Sequence, residues 1–155
     1  MEQKTKVHAE DGRQEYVITR EFELPVGLLF RAHAEAEIVE QWMGTKVLKL
    51  DSNKGGAYQF QTRDKEGNIV FAASGVIHEF IPQEKITRTF EMENAGAGVQ
   101  LELYQFEAID EDHSKLTMQV IYESVDKRDK VLGFGLAKGV GWAHNRLEEI
   151  AKKLK

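Results

Sequence analysis

The chain has no cysteine among its 155 residues. This absence excludes a disulfide framework, thiol catalysis and any zinc site built on thiolates. Long apolar runs are also missing, since none approaches the roughly 20 residues that a membrane-spanning helix needs. The first residues, MEQKTKVHAEDGRQ, lack the apolar segment that marks a secretory signal peptide. We therefore expect a cytoplasmic protein without a membrane span.

The chain also lacks an excess of basic residues. Its net charge is −5 at pH 7, whereas proteins that bind nucleic acids or anionic membranes carry a basic face. We therefore expect no nucleic-acid partner. With 41% hydrophobic and 30% charged residues, the composition is that of an ordinary globular protein. The length predicts one domain over residues 1–155, with residues 1–14 as an N-terminal extension that adds a strand.

Residue patterns for a particular reaction or metal are missing as well. No two of the five histidines stand three to five residues apart, and no carboxylate completes a metal-binding set at a recognised spacing. There is no Ser-His-Asp order, nucleophile elbow or close carboxylate pair. We therefore expect no metal, no cofactor and no reaction that the sequence can name.

The histidines divide by their surroundings. His8 and His113 lie in polar segments and are expected to be exposed. His33 falls on the apolar side of a predicted helix, and His78 alternates with Val76 and Phe80. We expect these two to be partly buried structural residues, with ligand contact or an acid–base role as the alternative.

Strand-like alternation is what the chain has in abundance. Residues 55–92 contain three such runs separated by turn residues at 65–68 and 82–84, which is the pattern of an antiparallel meander. Residues 5–10 and 15–23 are predicted to form a hairpin across Asp11-Gly12. The remaining predicted strands cover residues 46–51, 57–63, 69–81, 85–93, 98–109 and 115–124.

Alternation also assigns an apolar face to these strands. In the strand at 98–109, Val99, Leu101 and Leu103 share one parity and form that face. Phe106 and Ala108 have the opposite parity, which predicts a bulge near Tyr104. The strand at 115–124 has a regular apolar face, formed by Leu116, Met118, Val120 and Tyr122.

Helices are predicted in two places. Pro25 suits the first turn of a short helix, and a second short helix covers residues 38–43 and closes at Gly44. A long amphipathic helix is predicted over about residues 127–153, with irregular first turns because Phe134 lies off its apolar side. Glu148 is expected to lie away from that stripe. The stripe consists of Leu132, Leu136, Val140, Ala143, Leu147, Ile150 and Leu154.

These elements predict an α+β fold in which a curved antiparallel sheet of about six to seven strands is covered by the long C-terminal helix. Two short helices follow the first main strand. A strongly curved sheet wrapped on one helix need not close completely. The space between them then becomes a pocket with apolar walls.

The order and spacing of several motifs resemble a known family, the one similar to the C-terminal domain of the activator of the heat-shock-protein-90 ATPase, within the START-like, Bet v 1-like (SRPBCC) superfamily. The resemblance covers about residues 15–153. It departs from the family at His33 and Met43, where tryptophan is common. The matching residues are Pro25, Leu29, Phe30, Ala32, Trp42, Gly44, Gly55, Gly56, Tyr58, Phe60, Gly67, Gly75, Glu79, Pro82, Ile86, the segment 139–142, Leu147 and Ile150.

The resemblance implies the helix-grip fold and binding of a lipophilic small molecule between the sheet and the long helix. A co-chaperone role that modulates a chaperone ATPase is the first alternative. An enzyme of the cyclase or hydrolase kind acting on a hydrophobic substrate in the same cavity is the second. The side chains predicted to face the ligand are Trp42, Tyr58, Phe60, Arg88, Phe90, Met118, Val120, Tyr122, Leu136 and Val140.

Two arginines stand on apolar parities, Arg20 beside Ile18 and Arg88 beside Phe90. A charged group in such a place is costly unless it is paired or solvated. We expect each to pair with a carboxylate such as Glu79 or to reach solvent. The alternative is contact with a ligand carboxylate or phosphate, which suits the guanidinium fork.

A cluster of glycines lies near the start of the predicted C-terminal helix, at Gly133, Gly135, Gly139 and Gly141. It lacks the GK[ST] ending and preceding strand of a phosphate-binding loop. Each glycine inside a helix costs roughly 1 kcal/mol relative to alanine. We therefore expect these glycines to serve close packing or a kink, with access to the pocket as the alternative.

Overall fold

A computed structural model of the chain describes residues 4–155, and within them eight strands form one antiparallel sheet. The order across the sheet is β1-β2-β8-β7-β6-β5-β4-β3. The count exceeds the expected six to seven because Lys6–His8 pairs with β2 as an edge strand. The strands are β1 Lys6–His8, β2 Glu15–Phe22, β3 Lys46–Leu50, β4 Ala57–Arg63, β5 Ile69–Ile81, β6 Lys85–Met92, β7 Val99–Ala108 and β8 Ser114–Ile121.

The two short helices expected after the first main strand are confirmed as α1, Val26–Ala34, and α2, Ala36–Met43. Glu35 separates them with an extended backbone, φ −102° and ψ 120°. Carbonyls at the end of α1 accept hydrogen bonds from distant side chains, since Trp42 Nε1 donates to Ala32 O at 2.7 Å. This long-range cap explains why no glycine or proline marks the joint.

The C-terminal helix is divided, and the expectation of one helix over about 127–153 is corrected. The structure has α3, Val125–Leu132, and α4, Leu136–Lys152. Gly135 precedes α4 with φ +82°, a left-handed conformation that glycine adopts without steric cost. Phe134, in the break, is 57% exposed. The irregularity expected near Phe134 is therefore present, and the glycine pair 133 and 135 ends one helix and begins another.

Strand β7 has the opposite orientation to the one its apolar alternation predicted. Val99 and Leu101 face outward, whereas Gln100, Glu102 and Tyr104 are buried on the inner face. The register with both neighbouring strands is continuous along β7, so the predicted bulge near Tyr104 is wrong. The physical reason is that Glu102 has a buried cationic partner on β6, which is described below.

The register shifts of the sheet lie elsewhere. They occur between Val47 and Lys49, between Thr62 and Arg63, and between Ile77 and Glu79. His78 stands inside the last of these and is exposed, so the expectation that it is partly buried is wrong. The extra residue turns its side chain away from the inner face, which parity counting cannot foresee.

Helix α4 is buried only along its C-terminal half. Its buried residues are His144, Leu147, Glu148 and Ala151, so the predicted stripe is displaced around the helix and Glu148 does not lie away from the packed face. Leu154, expected in the stripe, is exposed. The N-terminal half of α4 lies above an open part of the inner face.

Gly75 on β5 leaves room for the Tyr58 side chain to lie over β5 and reach β6. The Tyr58 hydroxyl donates a hydrogen bond to the carbonyl of Thr89 on β6. A Cβ atom at position 75 would lie 2.0 Å from Thr89 O and 2.5 Å from Tyr58 Oη, which is far inside any real contact. The glycine is thus required by close approach rather than by its backbone angles.

We expect Gly75→Ala to lower the free energy of unfolding by about 3 kcal/mol, because overpacking typically costs about 1–3 kcal/mol and the atoms in the way include the Thr89 backbone, which cannot easily move. Gly139→Ala is the matched control, since a Cβ there meets no atom within 4 Å. It should raise helix stability by about 1 kcal/mol. Urea unfolding of both variants checks this, and equal effects would contradict it.

Candidate ligand-binding cavity

A cavity of about 460 Å³ lies between the inner face of the sheet and the helices. Strands β2, β4, β5, β6, β7 and β8 contribute its floor, and the N-terminal half of α4 lies across it. Helices α1 and α2 form one wall. The lining side chains beyond those predicted from sequence include Tyr16, Ile18, His33, Val39, Met43, Phe71, Met92, Gln100, Glu102, Tyr104, Val131, Phe134, Ala143 and His144.

Most of the side chains predicted to face a ligand lie together in this lining. They come from α2, β4, β6, β8, the residue after β8, and α4. Leu136 and Val140 of α4 stand opposite the sheet residues, as their positions in the stripe predicted. The predicted residues in the lining are Trp42, Phe60, Arg88, Phe90, Met118, Tyr122, Leu136 and Val140.

Tyr58 and Val120 do not line the cavity. Both are fully buried. The short Val120 side chain is enclosed in a cluster with Tyr16, Tyr122 and Val131. Tyr58 turns across Gly75 toward β6 instead of toward α4. Parity places both residues on the inner face, but their side-chain length and neighbours keep them out of the cavity.

The floor of the cavity carries a buried ion pair. Arg88 Nε donates to Glu102 Oε1 at 2.7 Å. The Glu102 carboxylate also accepts from the Tyr104 hydroxyl at 3.0 Å and from Gln100 Nε2 at 2.8 Å. The expected pairing of Arg88 with a carboxylate is thus confirmed. The partner is not Glu79, which pairs with Lys85 at 3.0 Å.

The guanidinium of Arg88 is held from several sides. It lies 4.6 Å from the ring centroid of Tyr58 and 4.9 Å from that of Tyr104, and Nη2 donates to Tyr104 Oη at 2.7 Å. Burial lowers the pKa of Arg88, but the surrounding phenol and carboxylate groups outweigh it and raise the pKa. Burial raises the pKa of the Tyr104 phenol. Arg88 is therefore a cation and Tyr104 neutral at pH 7.

A second polar group of the lining is a pair of phenols. Tyr16 Oη and Tyr122 Oη are 3.0 Å apart and share one hydrogen bond. Burial raises the pKa of Tyr122 to about 12, so the pair is neutral at pH 7. The registers place Tyr16, Val120, Glu102 and Arg88 in one row across four neighbouring strands. The two polar groups thus lie on the same floor, with Val120 between Tyr16 and Glu102 in this row.

Sequence reasoning missed the polar part of this floor. Gln100 and Glu102 were placed on the outer face because Val99 and Leu101 looked like the apolar side. A signal was present in Tyr104 and Phe106, two aromatic residues with the same parity as Glu102. The prediction was wrong because it gave Val99 and Leu101 more weight than the aromatic residues Tyr104 and Phe106. It also overlooked Glu102 as a partner for Arg88.

Two histidines border the cavity, His33 on α1 and His144 on α4. His33 is buried, as expected, and its Nδ1 lies 3.0 Å from Leu29 O. Its place in the cavity lining leaves both the structural role and the ligand contact as predictions. His144, which sequence reasoning left unassigned, lies 3.0 Å from Thr5 Oγ1. Burial, with the charge of Arg88 nearby, lowers the pKa of His33 to about 4. Burial, His33 and Arg20 lower the pKa of His144 to about 3.

Arg20 lies outside the cavity and pairs with α4. Its Nη2 is 3.4 Å from Glu148 Oε1, and Nη1 donates to Asn145 Oδ1 at 2.7 Å. Glu148 Oε2 also accepts from the Glu23 amide at 2.9 Å. The expected pairing with a carboxylate is confirmed here too, again with a partner other than Glu79. This cluster joins β2 to the C-terminal half of α4.

Neither a metal site nor a membrane helix is found in the described part of the chain. Over residues 4–155, no three His, Asp or Glu side chains are grouped so that they could hold a metal ion. Within the same residues no helix is long and apolar enough to cross a membrane.

The geometry is that of a sheet, a covering helix and a lined cavity, and comparison with known families agrees. The family model described as "Activator of Hsp90 ATPase homolog 1-like protein" matches residues 23–152. The chain belongs to this family. The START-like superfamily assignment made from the motifs is therefore confirmed, and the fold is that of ligand-binding and co-chaperone-like domains.

Solved structures with the fold of this Hsp90-activator-like family come from several bacteria. A protein from Rhodobacter sphaeroides has a TM-score of 0.85 at 17% identity, covering 96% of this chain and 99% of that one. One from Mycobacterium smegmatis has a TM-score of 0.83 at 21% identity, covering 94% and 95%. One from Arthrobacter aurescens has a TM-score of 0.84 at 13% identity, covering 96% and 91%. Such identities show the fold alone.

Among curated proteins, the sequence comparison finds no match.

We expect the protein to lose stability as the pH falls from 6.5 toward 4. The pKa values of His33 and His144 are lowered to about 4 and about 3 in the folded state, so the unfolded chain takes up protons first. The loss is absent above pH 6.5 and is complete for each histidine below its folded pKa. Each such group contributes a slope of about 1.4 kcal/mol per pH unit.

The double variant His33→Gln/His144→Gln should show a clearly shallower slope in urea unfolding between pH 6 and pH 4.5. His113→Gln is the control, because the hydrogen bond and charge of Asp110 raise the pKa of that exposed histidine. Its replacement should not reduce the acid loss. An unchanged slope in the double variant would contradict the assignment of neutral buried imidazoles.

Proposed function

We propose that the chain binds a small lipophilic molecule in the cavity between the sheet and α4. The observation that carries this is a space of about 460 Å³ with mainly aromatic and aliphatic walls. Ligand pockets typically have volumes of about 300–1,000 Å³, apolar walls and a few placed polar groups. The lining aromatics Trp42, Phe60, Phe71 and Phe90 provide such walls.

Entry to the cavity is proposed between the α3–α4 break and the first turns of α4. Phe134, Gly135 and Gly139 belong to the lining and are exposed. A Cβ at position 139 would meet no atom within 4 Å, so Gly139 is not explained by close packing. Its lack of a side chain leaves the mouth open, which favours the access interpretation of the glycine cluster at this position.

The proposed ligand is oriented by the polar groups of the floor. Arg88 and Glu102 lie at one place and the phenols of Tyr16 and Tyr122 at another. Eight residues that were predicted from the sequence remain our proposed ligand contacts: Trp42, Phe60, Arg88, Phe90, Met118, Tyr122, Leu136 and Val140. Tyr58 acts behind them by holding the Arg88 guanidinium.

A co-chaperone role is the second candidate, because the outer face of the sheet carries exposed apolar side chains. Val76, Val99 and Leu101 are exposed there. Thr89 on β6 is the register partner of Leu101 and accepts a hydrogen bond from the Val76 amide, so these side chains share one area. Exposed apolar patches of this kind mark contacts with other proteins.

The test of ligand binding is to block the mouth with Gly139→Phe. Titration of the wild type with the apolar fluorescent probe N-phenylnaphthylamine should show saturable binding, and the variant should bind at least tenfold more weakly. Ala137→Phe is the matched control, since Ala137 is exposed on the same helix turn and does not line the cavity. It should leave the affinity unchanged.

Absence of saturable binding by the wild type would refute the proposal. Equal weakening by Gly139→Phe and Ala137→Phe would show that the probe binds elsewhere. The second candidate is tested with Leu101→Thr, which should reduce stimulation of a heat-shock-protein-90 ATPase.

A further inference from the structure

The cavity floor carries a cation whose charge is already compensated. Arg88 and Glu102 are both largely buried, with side chains 11% and 5% exposed, and are joined at 2.7 Å. His33 and His144 are neutral at pH 7 because burial lowers their pKa values to about 4 and about 3. Among the described residues that line the cavity, the formal charges therefore sum to zero.

The carboxylate of this pair is fully engaged. Glu102 accepts three hydrogen bonds, from Arg88, Tyr104 and Gln100. Pulling Arg88 away from Glu102 toward a ligand would leave a buried anion without a cationic partner. Such an anion is strongly unfavourable in a low-dielectric interior. Glu102 is thus a fixed partner that a ligand anion cannot easily replace.

The guanidinium, in contrast, retains an unused donor. Nε donates to Glu102 and Nη2 to Tyr104, while Nη1 donates to no described residue. Nη1 is not among the fully buried unpaired atoms, so it keeps some accessible surface on a side chain that lines the cavity. A ligand can therefore accept a hydrogen bond from Arg88 without breaking the ion pair. The favourable acceptor is one that brings no net charge beside Glu102.

We infer that the ligand of this cavity is uncharged and presents a carbonyl or ether oxygen to Nη1 of Arg88. This inference rests on the proposed function and narrows its ligand class. A ligand carboxylate at the same place would bring a second anion to a guanidinium that Glu102 already neutralises. An ammonium group would face the more exposed member of the pair, which is the cation Arg88.

The inference is tested with three probes that share one aromatic body: a naphthyl methyl ketone, the corresponding naphthoate, and the naphthylmethylammonium ion. Binding is measured by isothermal titration calorimetry at pH 7.5, where the acid is ionised and the amine protonated. The wild type should bind the ketone at least tenfold more tightly than either ion. A naphthoate that binds as tightly as the ketone would overturn the inference.

Variants that uncover one charge at a time should reverse this ranking in a predictable direction. Glu102→Gln leaves the cation of Arg88 uncompensated, so the naphthoate should gain at least tenfold relative to the ketone. Arg88→Gln leaves the anion uncompensated, so the ammonium ion should gain instead. Unchanged ratios in both variants would overturn the inference.

Glu148→Gln is the matched control, because it removes the carboxylate partner of the other buried arginine, Arg20, outside the cavity. It should leave the ranking of the three probes unaltered. Thermal unfolding establishes which variants are folded. If Glu102→Gln does not fold, the inference is tested by the wild-type ranking of the three probes and by the change in Arg88→Gln. If neither variant folds, the wild-type ranking alone tests it.

The outcomes separate this inference from the proposed function. If the wild type binds N-phenylnaphthylamine but prefers the naphthoate, the cavity binds ligands and the inference is wrong. If it binds neither N-phenylnaphthylamine nor any of the three probes, the proposed function fails and the inference fails with it.

Discussion

Helix α4 is attached to the rest of the protein along its C-terminal half, and the cavity depends on this attachment. Leu147 and Ala151 are fully buried, and Glu148 pairs with Arg20 on β2. A buried ion pair is strongly destabilising to break, because either partner alone is an uncompensated charge. The helix therefore has one position, in which its first turns extend over an open part of the inner face. The break between α3 and α4 lies at the edge of that open part, where Phe134 and Gly135 line the cavity.

The second constraint is the ion pair between Arg88 and Glu102 on the floor. It explains why β7 turns its polar residues inward and leaves Val99 and Leu101 exposed. It also sets the charge of the cavity floor, because the buried pair is internally neutral, and this neutrality is the basis of our inference that the ligand is uncharged. The same inversion produces the apolar outer area that makes a protein-interaction role the second candidate.

Much of the fold could be predicted from the sequence. The meander, the two short helices, the closure of α2 at Gly44 and the amphipathic C-terminal segment follow from turn residues and hydrophobic periodicity, which act within a few residues along the chain. The family motifs added the helix-grip arrangement. Most of the predicted site side chains also lie in the cavity lining, because the inner parity of β4, β6 and β8 was assigned correctly.

Only the tertiary structure decided which side chains are buried by a partner that is distant in the sequence. Glu148 is buried because it pairs with Arg20, which is far away in the sequence. Glu102 is buried because it pairs with Arg88 on the neighbouring strand. Val120 is kept from the cavity by larger neighbours on other elements. The sequence by itself determined which segments are strands and which are helical, since local periodicity and turn chemistry specify these, but it did not divide the C-terminal helix into two. It did not determine which face of β7 or α4 is buried, since that energy belongs to pairs formed only on folding.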